Sequence, residues 1–422
     1  MSSSTFSRRV ALGGGVGLAA SLGLGACAVQ RPTSEEGGPL RITWWGGDGE
    51  NSAVNGALDT FAEQQGGAPT TRESLPWDGY WEKLATVTAA RNAPDVVMQA
   101  GSQIPDYADR GTLLDLNTID QLDTDAVDEG LRSFGAVEDQ LYGVVAASNA
   151  YGIVVNPELA DSVRLPEDAY SWQDLADLAR DTASSLDSGV RALTDSSGDL
   201  ISFVLYVRAS GGELYADDGS INALEDELGT WLTLWEGLRA DGVVPTAEES
   251  SESSGALQNG GLARQRVAMG TAWTQDYVNL AGLVKVPWQI SLPPYGSEHP
   301  SLWMNAASLW SISSTSGQQD VAAELINFLL TDPDAISAIG VALGTPPSQK
   351  SRDQIADGLD GVQRSALDYM TTVTEHSRPL NRLWPQGFAS SRTQLNDLAE
   401  AVAFGKSSID EAVKTFFADA RS

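Results

Sequence analysis

The sequence predicts an α/β fold with more than one compact region, on three observations. The stretch Arg41-Ile-Thr-Trp-Trp-Gly-Gly-Asp48 reads as a buried strand that runs through two tryptophans into a glycine turn closed by a carboxylate. Val54, Leu58 and Phe61 follow at helical spacing and complete a first βα unit. The length of 422 residues exceeds one ordinary core, which leaves two domains or one large α/β domain. The loop after the first strand of an open α/β sheet lies at the carboxyl end of the sheet, where such folds bind ligands. An indole face at Trp45 beside the Asp48 carboxylate suits a sugar, whose C–H face stacks on the ring while its hydroxyls donate to the acid. Core tryptophans and a helix-capping aspartate are the plain structural alternative.

The remaining elements follow in chain order. Pro69 to Ser74 predicts a second strand, Leu75 to Trp81 a loop, and the stretch from Tyr80 to Arg91 a helix. Asn92-Ala-Pro-Asp95 breaks that helix, and Val96-Val-Met98 is a third buried strand with Gln99 to Gln103 just past its end. A short helix around Tyr107 stops at Gly111. Leu141–Val145 and Tyr151–Asn156 are β-rich runs around the polar break Ala147-Ser-Asn149, the pattern of a chain crossing between lobes. Ser171 is placed to cap a helix from Trp172, and Ile201 to Ser210 reads as a buried helix. Glu227 to Arg239 is another helix, with Trp231 and Trp235 on its core face. Glu248 to Gly261 predicts a surface loop, and Arg266–Met269 a short strand delivering Gly270–Trp273 to a turn. Pro293 to Asn305 is a second candidate crossing. Val321 to Leu330 is amphipathic, and Ser408-Ile-Asp-Glu411 is a capping box that opens a last helix. No repeat is visible at a period of 20–50 residues.

Composition narrows the function. A net charge of −31 argues against nucleic acid, whose phosphates need a basic field, and favours a neutral or cationic ligand over an anion. His299 and His376 stand far apart without a second histidine at helical spacing, so no metal and no cofactor is expected. No G-x-S-x-G elbow or Walker loop is present; a glycosidase needs only two carboxylates and stays open. At the N-terminus, Arg8-Arg9 precede an uncharged, glycine-rich apolar run from Val10 to Ala26. That run is too short and dilute for a membrane span, which takes about 20 strongly apolar residues. Leu24-Gly-Ala-Cys27 resembles the lipobox of bacterial lipoproteins, which implies a signal peptide over 1–26, a lipid on Cys27 and a flexible tether over 27–39. Ser7-Arg-Arg9 also resembles a twin-arginine export signal, with Ala11 and Gly13 where that pattern has Phe and Lys. As the only cysteine, Cys27 excludes an intramolecular disulfide.

A wider likeness emerges from the order of several short motifs. Ile42-Thr-Trp-Trp-Gly-Gly-Asp48, Trp77-Asp-Gly-Tyr-Trp-Glu-Lys-Leu84, Ala93-Pro-Asp-Val96 and Leu141-Tyr-Gly143 come first, followed by Val267-Ala-Met-Gly-Thr-Ala-Trp273 and Gly405-Lys-Ser-Ser-Ile-Asp-Glu-Ala412. Together they resemble the carbohydrate-binding lipoproteins of bacterial ABC importers, the family-one extracellular solute-binding proteins related to maltose-binding protein. The resemblance implies a two-lobed periplasmic-binding-protein type II fold with a ligand cleft between the lobes and hinge crossings. Residues 40–146 plus 301–348 would form one lobe, and 148–292 plus 355–422 the other. It further implies a non-enzymatic monomeric receptor for a sugar, most suitably an oligosaccharide, that is lipid-anchored outside the cell and delivers to permease subunits. A receptor for a glycerophosphodiester or a peptide is the nearest alternative. Matched by position, Asp48 binds hydroxyls, Trp273 is the platform of the second lobe, and Asn149 presents a polar group from the crossing. Gln99 and Gln103 fall in the loop after the third strand, and Trp77 and Trp81 at the rim. Asn305 ends the second crossing, and Arg382 and Trp384 lie near a C-terminal stacking position.

Overall fold

The computed structural model describes residues 38–66, 69–161, 163–216, 219–253, 257–378, 384–385 and 387–419. Cys27 and Arg382, with the roles expected of them, lie outside the described residues. The strands that build the sheets are β1 (Leu40–Trp45), β2 (Thr70–Leu75), β3 (Val96–Gln99), β4 (Val144–Asn149), β5 (Tyr151–Val155), β6 (Arg191–Leu193), β7 (Val267–Trp273), β8 (Gln289–Ser291) and β9 (Asn305–Ile312). They form a five-stranded sheet in the order β2-β1-β3-β9-β4 and a four-stranded sheet in the order β8-β5-β7-β6. In the first, β1 runs parallel to β2 and β3, while β9 lies antiparallel between β3 and β4. In the second, β5 is antiparallel to β7 and β8, and β6 is parallel to β7. Each sheet carries its own helices, so the fold is α/β in two lobes.

The lobes are joined where the chain leaves one sheet for the other. β4 ends at Asn149 and β5 begins at Tyr151, so Ala150 alone connects them. The polar run Ala147-Ser-Asn149 is therefore no break between strands, as expected from sequence, but the end of β4. It is buried and pairs with Asn305 to Ser308 of β9, which satisfies its backbone. The second crossing runs from the end of β8 at Ser291 to the start of β9 at Asn305.

Local chemistry accounts for most element ends. Asp95 is buried just before β3; its Oδ2 accepts from the Arg41 backbone N–H at 2.9 Å and its Oδ1 from the Ser316 hydroxyl at 2.6 Å, so one carboxylate ties β1, β3 and the end of β9. Ser171 and Asp174 form the capping box of the helix Trp172–Ala183, and Trp172 packs edge-on against Trp231 at 4.9 Å in the core of the second lobe. Three expectations fail. The helix of the first lobe begins at Trp77, not Tyr80, with Pro76 at its N-cap, so no loop covers 77–81. The stretch after Thr246 forms the helix Ala247–Glu252, because Thr246 and Glu249 make a capping box that its loop-like composition hides. Trp273 is the last residue of a seven-residue β7, not part of a turn, and caps the helix Thr274–Leu283.

An ion network fastens the second crossing to the second lobe. Arg208, in the helix Leu200–Ala209, is wholly buried and donates through Nη1 to both Glu213 oxygens at 2.6 Å, and through Nε to the Ser301 carbonyl at 2.8 Å. Arg378 Nη1 meets Glu213 Oε1 at 2.8 Å. Removing one member of a buried set leaves its partners unsatisfied, which costs far more than the set contributes as a whole. Arg208→Met is accordingly expected to lower unfolding stability by about 3 kcal/mol, read as a fall in the urea midpoint at constant slope.

Candidate functional site

A cleft of about 840 Å³ opens between residues carried by the two sheets. Its wall from the first lobe is aromatic. Because their helix starts at Trp77, Trp77 and Trp81 stand one turn apart on the same face and both line the cleft. Trp45, at the end of β1, braces them, edge-on to Trp77 at 4.9 Å and tilted against Trp81 at 5.5 Å. Below, the Tyr80 hydroxyl donates to the Met98 carbonyl at 2.6 Å and pins the helix to β3; burial pushes its pKa well above the ordinary value, so it stays a neutral donor. Trp77 is 42% exposed, an unusual surface for so large a ring.

The facing wall from the second lobe is polar. The segment Thr194–Asp199 follows β6 and lines the cleft. Asp199 caps the helix Leu200–Ala209 and accepts from the Tyr151 hydroxyl at 2.5 Å and the Ser202 hydroxyl at 2.6 Å. Ser196 shares a hydrogen bond of 3.1 Å with Thr271 of β7. Asp195 is held by Arg239, which also meets Glu236. Gly198 lets this segment press on the helix Phe388–Ala403: a Cβ there would sit 2.9 Å from the Asn396 backbone. That helix turns Arg392, Thr393 and Asn396 toward the cleft. Sequence reasoning missed this face and the Thr194–Asp199 segment. The i, i+3, i+4 spacing of small and polar residues from Ala389 to Ala403 is the one signal that marks the helix face. An indole wall opposite hydroxyls, amides and carboxylates offers apolar stacking and directed hydrogen bonds at once.

Of the residues singled out from sequence, Trp77, Trp81 and Gln103 line the cleft, with Trp45 behind the first two. Trp273 lies edge-on to Tyr151 at 4.9 Å, one ring removed from the lining. Asn149 and Asn305 meet at the junction of the crossings, where Asn305 Nδ2 donates to Asn149 Oδ1 at 2.9 Å and both are nearly buried. Trp384 is buried against Phe388 at 4.1 Å and Trp303 at 5.6 Å, and with Pro105 and Tyr142 it lines an adjoining cavity of about 690 Å³. Two residues sit elsewhere than expected. Gln99 belongs to β3 itself rather than to the loop after it; it is fully buried, opposite Leu309 of β9, and does not line the cleft. Asp48 is the exposed first residue of the helix Asp48–Gln64 and is outside the lining, and the nearby indole of Trp44 donates to Asn51 instead. Among the described residues no group of three or more His, Cys, Asp or Glu side chains could hold a metal ion.

One carboxyl near Trp273 is perturbed. Burial pushes Asp276 from 3.8 up to about 6, against the pull of the Trp273 backbone N–H and of Arg392, while Glu50 of the first lobe adds to the rise. Asp276 thus feels charges from both lobes.

A family model described as bacterial extracellular solute-binding protein matches residues 56–366 of this chain. Solved structures share its fold at low identity. A family-one extracellular solute-binding protein from Alicyclobacillus acidocaldarius is 23% identical with a TM-score of 0.69, over 92% of this chain and 98% of its own. A periplasmic oligogalacturonide-binding protein from Yersinia enterocolitica, in complex with saturated digalacturonic acid, is 20% identical with a TM-score of 0.80, over 91% and 98%. A maltose/maltodextrin-binding domain from Bdellovibrio bacteriovorus bound to maltotriose is 16% identical with a TM-score of 0.71, over 91% and 98%. No helix among the described residues is long and apolar enough to cross a membrane.

The Asp276 shift has a defined effect on stability. Its folded pKa lies above the unfolded one, so the stability it contributes is fully present below about 3.8, declines through the interval, and is lost above about 6. Asp276→Asn is expected to remove that decline. Relative to the wild type it should gain about 2 kcal/mol between pH 4 and pH 7, measured by urea unfolding at both values.

Proposed function

The chain belongs to the bacterial extracellular solute-binding proteins, and from that premise we propose that it is the receptor of an ABC importer for a carbohydrate, in particular an oligosaccharide. The observation that carries this reading is the pairing of the Trp77–Trp81 wall with the polar wall of Asp195, Asp199 and Asn396 across one cleft. A pyranose has an apolar face and a rim of hydroxyls, which match the two surfaces. In this reading Trp77 and Trp81 stack on the sugar, Gln103 and Asn396 pair its hydroxyls, Trp45 holds the stacking residues in place, and Trp273 supports Tyr151. Trp384 serves a further sugar unit in the adjoining cavity. Asn149 and Asn305 act as the joint between lobes; Gln99, buried within β3, takes no part in the contact, and Asp48 and Arg382 are retained only as groups that closure would have to bring to the ligand.

The lobes are proposed as 40–146 plus 301–348 and 148–292 plus 355–422. Closure over the sugar excludes water from both walls and creates the form that the permease subunits accept. The reading involves no bond breaking: Asp199 is engaged as a helix cap and Asp195 as an ion-pair partner, which leaves Glu400 as the one carboxylate of the lining without a partner among the described residues, short of the two that glycoside hydrolysis takes. Export, a lipid on Cys27 and a monomeric body outside the cell complete the proposal, on the lipobox-like Leu24-Gly-Ala-Cys27.

Thermal unfolding against a panel of mono- and oligosaccharides tests it. A ligand at about 100 times its dissociation constant adds about 2.7 kcal/mol of stability. Trp77→Ala, at an exposed position, is expected to weaken that ligand about tenfold or more without loss of fold, and the ligand should be recovered intact by mass. Stabilisation by a peptide or a glycerophosphodiester and by no sugar would sink the carbohydrate assignment; recovery of a shortened sugar would make the protein a glycosidase.

A further inference from the structure

A second cavity, of about 510 Å³, shares no lining residue with the cleft. Its floor is the second crossing, at Trp303 and Met304, and its sides come from elements tied to different sheets. On one side, Leu131 and Phe134 belong to a segment fastened to the first lobe: the Asp128 backbone N–H donates to the Pro347 carbonyl at 3.0 Å, and Thr345 and Ser148 of β4 bond to each other through their backbones at 2.8 Å. On the other side, Leu367 and Met370 lie on the helix Gly361–Glu375, which is fastened to the second lobe. Its Tyr369 hydroxyl donates to the Tyr151 carbonyl of β5 at 2.6 Å.

The lining states what the cavity would take. Its inner surface is apolar and partly aromatic, at Phe134, Trp303, Met304 and Met370. The rim charges Asp128 and Arg352 are paired with each other at 2.7 Å, and the exposed carboxylate of Glu375 is the further rim charge, which disfavours an anion. The volume is that of an ordinary small-molecule pocket, and pockets of this kind concentrate at domain interfaces.

We propose that this cavity is a second ligand site, for an aromatic molecule without negative charge, and that its occupancy is coupled to closure of the cleft. The coupling follows from the walls. Rotation of the lobes about the crossings moves the segment at Leu131 and Phe134 relative to the helix at Met370, so the cavity cannot keep its shape in both states. A molecule that fits one state better shifts the lobes toward it, and by linkage the cleft ligand must change that molecule's affinity by the same factor. The coupling half rests on the receptor reading above; the site itself does not.

The uncharged dye N-phenyl-1-naphthylamine serves as probe, through its fluorescence on entering an apolar site. Saturable binding of one dye per chain is expected, abolished by Thr371→Trp or by Thr374→Trp. Both replace exposed rim residues of the helix Gly361–Glu375, so that two independent variants fill the opening. Trp77→Ala should leave the dye bound. With the cleft saturated by its sugar, the dye's dissociation constant should change at least fivefold, and the dye should change the sugar's by the same factor. Dye binding that survives both tryptophan variants, or that disappears in Trp77→Ala, overturns the site. A dye affinity indifferent to a sugar that demonstrably binds overturns the coupling. If no sugar binds at all, the carbohydrate reading fails by itself, while the two tryptophan variants still decide whether the second site exists.

Discussion

The architecture depends on a crossing one residue long. With β4 ending at Asn149 and β5 starting at Tyr151, Ala150 has no slack, and the two sheets are held as neighbours rather than as beads on a linker. So short a connection is buried, and buried polar groups must find partners. The Asn149–Asn305 side-chain bond meets that need at the point where both crossings come together. Tyr151 extends the same logic into the second lobe: its carbonyl takes the Tyr369 hydroxyl, and its own hydroxyl is given to Asp199. The hinge and the polar wall of the cleft are therefore joined through one residue.

Electrostatics reinforces this division of labour. The chain carries a net charge of −31, and the one cation that is buried among the described residues, Arg208, sits at a joint. Arg208 and Arg378 clasp Glu213 and the second crossing, and Arg239 gathers Asp195 and Glu236 beside the cleft. Each guanidinium satisfies several acceptors in one plane, which a lysine could not do. The surplus acids lie mainly on solvated faces, where they keep an acidic body soluble without shaping the site.

What was legible in the sequence was local. The first strand and helix, the capping boxes at Ser171 and Ser408 and the tryptophan core at Trp231 and Trp235 are set by neighbours within a few residues, and their spacing carries the information. The motif order added the two-lobed fold. What failed was decided by distant partners. Ala147-Ser-Asn149 has the composition of a break but becomes strand because β9 pairs with it from more than 150 residues away. Trp77 to Gly79 reads as a loop, yet Pro76 is a sound helix start and the three tryptophans at 45, 77 and 81 hold the first turn together. The helix Phe388–Ala403 shows its small and polar face in the spacing from Ala389 to Ala403, but its place in the cleft was not legible because it rests on Gly198, almost 200 residues earlier, leaving room for Asn396.

The two walls differ in a way that makes motion part of recognition. The exposed indoles come from the first lobe and most of the hydrogen-bonding groups from the second, so a ligand that uses both touches both lobes. Each wall by itself offers a contact open to water, where hydrogen bonds are nearly neutral exchanges and an indole gains only part of its area term. Bringing the walls together removes water from both at once, and the same hydrogen bonds then act in a lower dielectric. In the proposed receptor the free energy of capture would thereby be concentrated in the closed state, which the lobes reach by rotation about the two crossings.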